Sequence, residues 1–416
     1  MGSEPQRQVH RRRVFYIPGY DPIPPRRYRE LYRREGLKQA GISGYNIALK
    51  AKSGSGLYGW RVSGRIGDTA TVCQIDVLVW SDIVRNSMSN SIAATYLQLL
   101  RTAWVYVASG TFRRLMWLRK GPVIAALYPV GMLLLQLILS LVVGILAASA
   151  LRVAVSTVWQ GATAGRVLPL VSAVLVLLVM VLVLRWFRAQ DGRLYAYYLM
   201  HDYAFTAHSN GANPPALETR IGQFTDIIAK ALTQDVDEVL IVGHSSGAHI
   251  GISVLADLIR SGRVPKDGPA LSFLTLGQVV PMVSFLKGAH RLRADLRYLS
   301  TRDELFWVDV SAPGDGCSFA LCDPVAVSGV APPGKKWPLV MSAAFTRTLS
   351  PDRWAELRWR FFRLHFQYLC AFDRPGDYDY FRITAGPRTL AARYGGRAPS
   401  RSRIDVAASK YTSVAA

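Results

Sequence analysis

Acidic residues are scarce in this chain: 28 Asp+Glu stand against 50 Lys+Arg, a formal net charge of +22 over 416 residues. Charged residues of both signs make up only 19%, below the roughly 25% of ordinary soluble domains. Mean hydropathy is nevertheless positive, at +0.16, which excludes a disordered polyelectrolyte, because disorder needs low hydrophobicity. It also speaks against a simple nucleic-acid binder, whose charge sits on a polar surface, so no nucleic-acid partner is expected. Cysteine is rare. Cys73, Cys317, Cys322 and Cys370 are too few and too scattered for a disulfide framework. Cys317 and Cys322 have no second pair at zinc-finger spacing, so no metal is expected and the thiols read as small buried apolar groups. The chain lacks a Gly-Lys-Ser/Thr phosphate loop and a G-x-G-x-x-G run, so no nucleotide or other cofactor is implied. No apolar stretch follows Arg7, Arg11, Arg12 and Arg13, so a cleaved secretory signal is not expected.

What the chain has in abundance is uncharged apolar sequence. Residues 121–151 run 31 positions without a charge, and 167–184 add 18 more. A bilayer core of about 30 Å needs roughly 20 helical residues. The first run is ample, and the second reaches span length to about 187 if Trp186 and Phe187 sit at the interface and Arg185 snorkels. Arg113, Arg114, Arg119 and Lys120 precede the first run, and Arg185, Arg188 and Arg193 follow the second. The connecting loop has basic residues only at its ends, Arg152 and Arg166. By the positive-inside rule the two runs form a transmembrane hairpin (121–188) with both long arms and both termini cytoplasmic. An integral protein of a plasma or bacterial inner membrane is expected. Residues 95–120 mix Trp104, Tyr106, Phe112 and Trp117 with Arg101, Arg113 and Arg114, and read as an interfacial amphipathic helix. Membrane lipids are the expected partners, and the basic excess reads as an address to an anionic inner leaflet.

The arms alternate strand and helix patterns. VFYIPGYDP, from Val14, reads as a buried strand running into a turn. A basic helical piece (26–38) follows, then an alternating stretch with Gly-rich breaks and a strand over 70–80. Beyond the hairpin, Ile221, Phe224, Ile227, Ile228 and Leu232 mark one face of a helix. Strands follow at 238–242, 271–276, 305–311 and 339–344. This pattern predicts an α/β fold, a mostly parallel sheet with helices on both faces, split by the hairpin into 1–94 and 189–388. An even number of spans is what lets both parts build one sheet. The Gly/Ser/Arg-rich tail, 389–416, reads as disordered.

The strongest local signal is Gly243-His244-Ser245-Ser246-Gly247, directly between a predicted strand and a predicted helix. A strand that turns at once into a helix leaves no room for neighbouring β-carbons and lifts the Ser245 hydroxyl above the sheet. The helix N-terminus beneath it favours developing negative charge.

This segment resembles the nucleophile elbow of the α/β-hydrolase superfamily, in a form similar to lipases and esterases. The resemblance covers 14–19 and most of 235–384, and leaves the hairpin outside as an insertion. It implies a Ser nucleophile followed in the chain by an acid and then a His. Three histidines follow Ser245. His249 lies within the helix leaving the elbow, and His290 precedes most candidate acids, so His365 is the expected base. One departure is visible: Trp354, Leu357, Phe361 and Leu364 have helical spacing, whereas the base normally sits in a loop. Asp315, in an Ala-Pro-Gly-Asp-Gly turn just past a strand, is the expected acid, with Asp309 and Asp323 as alternatives. The oxyanion donors implied are the N–H groups of Ser246 and Tyr20, with Gly19 permitting the backbone approach. His201-Asp202 resembles half of a metal pair without a partner cluster and reads as surface or packing.

The resulting expectation is a membrane-anchored serine hydrolase acting on a small-molecule or lipid ester. Its rival is a non-catalytic, membrane-anchored scaffold of the same fold that binds a protein partner.

Overall fold

The computed structural model describes residues 8–416 except 53, 55, 89–90 and 159–161, and side chains are not described at 162–164. Arg7 and the tip of the loop between the apolar runs therefore lie outside the described residues.

Eight strands form one sheet: β1 (Arg11–Ile17), β2 (Asn46–Ala51), β3 (Gly59–Ile66), β4 (Thr69–Val77), β5 (Glu238–His244), β6 (Ala270–Leu276), β7 (Phe306–Ser311) and β8 (Leu339–Ser342). Their order is β2-β3-β4-β1-β5-β6-β7-β8. β4-β1-β5-β6-β7-β8 pair in parallel, and β2-β3-β4 add an antiparallel edge. The fold is α/β with a mostly parallel sheet. Composition follows position. β5, at the centre, is buried at every residue, as a strand covered on both faces must be. β3, near the edge, alternates buried and exposed positions.

The helices used below are α1 (Arg26–Ser43), α2 (Ile92–Ala108), α3 (Thr111–Leu118), α4 (Lys120–Ser156), α5 (Ala162–Ala189), α6 (Ala196–His208), α7 (Pro215–Leu232), α8 (Gly247–Arg260), α9 (His290–Leu299), α10 (Pro351–Leu357), α11 (Phe361–His365) and α12 (Leu390–Tyr394). Contacts divide the chain into two compact units. The first comprises Met1–Asn86, Tyr106–Val123 and Ser209–Ala416, and the second Ser87–Val105 and Ile124–His208.

The first unit contains the whole sheet. β1 and β5 lie side by side in parallel register, with Ile17 opposite Gly243, although the second unit separates them in sequence. α8 packs on β5, and a β-carbon on Gly251 would lie 2.8 Å from the Phe273 ring.

The second unit is built on α4 and α5. They are long and apolar enough to cross a membrane, and only 22% and 11% of their most apolar windows are buried, unlike the helices of a soluble core. At 1.5 Å per residue, the 37-residue α4 is about 55 Å long, more than the roughly 30 Å core of a bilayer. The two helices pack closely: a β-carbon on Gly144 would lie 2.9 Å from the Val176 carbonyl oxygen, and Arg152 Nε donates to Ser172 Oγ at 2.9 Å. His201, on α6, is buried here beside Gln98 at 2.8 Å, a packing position.

Three expectations need correction. The stretch 95–120 is not one interfacial helix. α2 and α3 meet at Gly110, which has φ +74, and 106–123 belong to the sheet unit. Tyr106 and Thr111 hydroxyls donate to the carbonyls of Met282 and Phe285, and Arg119 donates to that of Ala320. Residues 189–208 join the hairpin unit rather than the sheet. The tail 389–416 is ordered. After α12 its backbone is bonded in place: Asp323 N–H donates to Ile404 O, Ile404 N–H to Leu321 O, and Ala408 N–H to Val327 O. The buried Arg293 donates to Ser413 O. A polar composition underestimates a segment held by main-chain bonds.

Candidate active site

The C-terminal ends of the central strands carry the site. β5 ends at His244, and Ser245 follows at φ +54, a left-handed conformation that non-glycine residues rarely adopt. The surroundings impose it. Ser245 N–H donates to the Leu276 carbonyl at the end of β6, and the Ser245 carbonyl accepts from Ala248 N–H in the first turn of α8. A β-carbon on Gly247 would overlap the Ile17 carbonyl oxygen and lie 2.7 Å from that of Pro18. Only glycine lets the elbow approach the end of β1 this closely.

The loop after β1 meets the serine. A β-carbon on Gly19 would lie 3.0 Å from Ser245 Cβ and 3.5 Å from its Oγ. Pro18 is held from the other side by Trp80 Nε1, which donates to its carbonyl at 2.9 Å, and Tyr20 packs edge-on against Trp80. Ser246 immediately precedes α8, without a side-chain capping bond, and is buried. The three residues expected to form an oxyanion site are thus grouped around Ser245.

His365 closes the short helix α11, which is separate from α10: the chain leaves helical geometry at Arg360, with φ −100 and ψ +67. The helical spacing running from Trp354 to Leu364 therefore belongs to two short pieces. His365 Nδ1 donates to Asp315 Oδ2 at 2.8 Å. Its Nε2, also buried, has no hydrogen-bond partner among the described residues. With the proton on Nδ1, the Nε2 lone pair is available to accept one.

Asp315 lies in the turn after β7, as its loop sequence suggests. Its Oδ1 accepts from Cys317 N–H at 2.9 Å, and Oδ2 also accepts from the Tyr368 hydroxyl at 3.0 Å. Burial pushes its carboxyl up, but the neighbouring His365 and the hydrogen bonds from His365 and Cys317 outweigh this and hold it below the usual aspartate range. The other two candidate acids are engaged elsewhere. Asp309 accepts from Thr275 Oγ1 at 2.6 Å inside the sheet, and burial raises it to about 7. Asp323 caps the turn Pro324–Val327 and pairs with Lys335.

Gly277 ties the parts together. It follows Leu276, whose carbonyl holds Ser245. A β-carbon there would lie 3.1 Å from His365 Cε1 and 3.3 Å from Asp315 Oδ2. The His365–Asp315 pair and the backbone of Ser245 thus both meet the end of β6, while His365 Nε2 makes no hydrogen bond to the Ser245 hydroxyl.

Two residues of this cluster carry no signal in a linear reading. His244 stacks on His365 with ring centroids 4.8 Å apart, and its Nε2 donates to the His365 carbonyl at 3.0 Å. Burial, then the adjacent His365, push His244 down to about 3, so it stays neutral. Tyr368 braces Asp315 while its hydroxyl accepts from Ala312 N–H at 3.0 Å.

Among the described residues, one group could hold a metal ion: Asp315, Cys317 and His365, with ligand atoms within 4.8 Å of one another. The direct Nδ1–Oδ2 hydrogen bond leaves no space for an ion between those two atoms. None of the four cysteines is in a disulfide; Cys73 and Cys322 are buried and Cys317 and Cys370 partly exposed.

Compared with family models, with curated proteins and with solved structures, the chain matches none, so the reading of this site rests on its own geometry.

Proposed function

We propose that this protein is a membrane-anchored serine hydrolase of α/β-hydrolase type that cleaves carboxylic esters or thioesters through an acyl-enzyme on Ser245. The observation that carries the reading is the His365–Asp315 hydrogen bond, with a buried Nε2 that has no partner among the described residues, at the same end of the sheet as a serine forced into positive φ.

In this mechanism Ser245 Oγ attacks the substrate carbonyl while its proton passes to His365 Nε2. Asp315 keeps the imidazole in the Nδ1–H tautomer and stabilises the imidazolium without taking the proton itself. The carbonyl oxygen becomes an alkoxide, which the N–H groups of Ser246 and Tyr20 stabilise, reinforced by the start of α8. His365 then returns the proton to the leaving alcohol or thiol. Water, deprotonated by the same nitrogen, hydrolyses the acyl-enzyme and restores Ser245. No cofactor enters the scheme.

α4 and α5 anchor the enzyme as a hairpin. By the positive-inside rule, the basic flanks favour a cytoplasmic sheet unit and cytoplasmic termini. Ester hydrolysis by the purified full chain, assayed with short- and long-chain esters, tests the proposal. Turnover should disappear in Ser245→Ala; unchanged turnover would sink the nucleophile assignment.

A further inference from the structure

The segment that carries His365 has a surface the hydrolytic scheme does not use. Between α10 and α11 the chain reads Arg358-Trp359-Arg360-Phe361, with Arg363 one turn further. All five side chains are exposed, Trp359 at 73% and Phe361 at 44%. No acid occurs from 357 to 372. The nearest carboxylate, Glu356, is shared by Arg353, Arg360 and Arg363 at 3.0, 3.3 and 3.4 Å, so positive charge remains in excess. The Arg358 guanidinium lies over the Trp359 ring at 5.8 Å.

The position of this turn is specific. The Phe361 ring lies on the loop of Asp315: a β-carbon on Gly316 would be 3.2 Å from Phe361 Cδ1. The same loop also approaches residue 121, where a β-carbon on Gly121 would lie 3.5 Å from Gly316 Cα. Gly121 is the second residue of α4 and belongs to the same compact unit as the site. Just before it, α3 exposes Trp117 at 71%, together with Arg113 and then Lys120. Arginine- and tryptophan-bearing residues therefore occur both on the turn that touches residue 316 and just before residue 121, where the long apolar helix begins. Exposed single aromatics are ordinary on a protein surface. Tryptophan and arginine around the root of an apolar helix match the headgroup level of a bilayer, where tryptophan is enriched and basic side chains meet anionic lipid.

We infer that the turn formed by residues 358–363 is a contact surface for the anionic phospholipid headgroups of the membrane that α4 enters. The inference rests on reading α4 and α5 as spans and does not depend on Ser245 chemistry. It places the His365 segment at the lipid surface, so an ester carbonyl at headgroup depth is the substrate class this contact serves.

The test reconstitutes the full chain in vesicles of phosphatidylcholine, with or without phosphatidylglycerol, whose acyl chains are brominated near the headgroup. The quenching lost in Trp359→Phe relative to the unmodified chain isolates the Trp359 contribution. That contribution should be present with phosphatidylglycerol and weaker in phosphatidylcholine alone. It should fall by about half or more in Arg358→Gln/Arg360→Gln/Arg363→Gln, as loss of charge attraction requires. Equal tryptophan quenching in unmodified and Trp359→Phe protein overturns the proposal. So does a Trp359 contribution that is the same in neutral and anionic vesicles. So does shielding of Trp359 by an acidic peptide but not by lipid, which would make this a protein-docking surface. Because the readout is not turnover, its failure leaves the Ser245 mechanism intact, and an inactive Ser245 leaves this result unaffected.

Discussion

Two buried polar clusters occupy opposite ends of the same pair of central strands, about 20 Å apart along seven residues, and they are built on opposite plans. At the N-terminal end, Arg12 and Glu238 face each other at 2.6 Å with both side chains inaccessible to solvent. Arg12 also donates to the carbonyls of Thr384, Gly386 and Arg388, and Glu238 Oε1 accepts from Ser272 Oγ and Leu390 N–H. The guanidinium and the carboxylate are thus enclosed by protein partners, and the cluster pins the 384–390 segment to the sheet. At the C-terminal end, Asp315 is equally buried and well bonded, yet its partner His365 keeps one nitrogen unpartnered. An unsatisfied buried polar atom costs about 1–3 kcal/mol. A closed cluster holds a fold together, whereas an open one keeps a hydrogen-bond position for something that arrives. Asp309 shows a third way to bury a carboxyl. With one oxygen on Thr275 and, among the described residues, no partner for the other, it is raised by burial to about 7.

Variants separate these plans, and the largest effects belong to the open cluster. Ser245→Ala and His365→Ala should each lower kcat/KM by about 10⁴-fold or more, with thermal unfolding little changed. Asp315→Asn should lose roughly 10³- to 10⁴-fold, because the amide can impose the wrong tautomer on His365. A pH–rate profile of that variant next to the unmodified protein checks whether the loss lies in the histidine.

The closed cluster should behave in reverse. Arg12→Met or Glu238→Gln leaves the remaining partner buried and uncompensated, and should destabilise the sheet unit by about 3–5 kcal/mol. The Arg12→Met/Glu238→Leu pair should recover much of that loss. Denaturant unfolding monitored alongside esterase activity decides the matter, since the folded fraction of each variant should keep its turnover. If these variants abolish turnover while remaining folded, the division between a structural and a reactive end is wrong.

Asp309 should appear in pH rather than in rate. Its folded-state value lies above the unfolded one, so its favourable contribution is complete below about 4 and is lost as pH rises through about 7. The whole excursion is worth about 4 kcal/mol, and Asp309→Asn should flatten that part of the stability–pH curve. Asp315, held low, has the opposite sign: its contribution is present above the unfolded carboxylate range and is lost as pH falls through its folded value. The smallest effect is expected at His244. His244→Phe keeps a ring against His365 but removes the bond to its carbonyl, and should lower kcat by about three- to ten-fold with KM unchanged.

Much of the frame was legible because it is written locally. Val14, Glu238, Leu271, Phe306 and Leu339 open or sit within short apolar runs bounded by turns, and each run is a parallel strand. The elbow was legible because its glycines are required within five residues of chain. The edge strands β2 and β3 were not, since an alternating stretch broken by glycine has no obvious partner until β4 is in place. Nor was the division between units, because the side chains tying 106–123 to the sheet unit end on distant main-chain carbonyls. The same limit hid His244 and Tyr368. Their roles depend on a carbonyl and a carboxylate 121 and 53 residues away, which only the closed sheet brings within reach.

The most direct test of the account is covalent labelling of the full chain by a fluorophosphonate, read by intact mass and peptide mapping. The account predicts a single adduct on the Ser245 peptide, absent in Ser245→Ala and much slower to form in His365→Ala. An unlabelled protein, or an adduct that persists in Ser245→Ala, would contradict it.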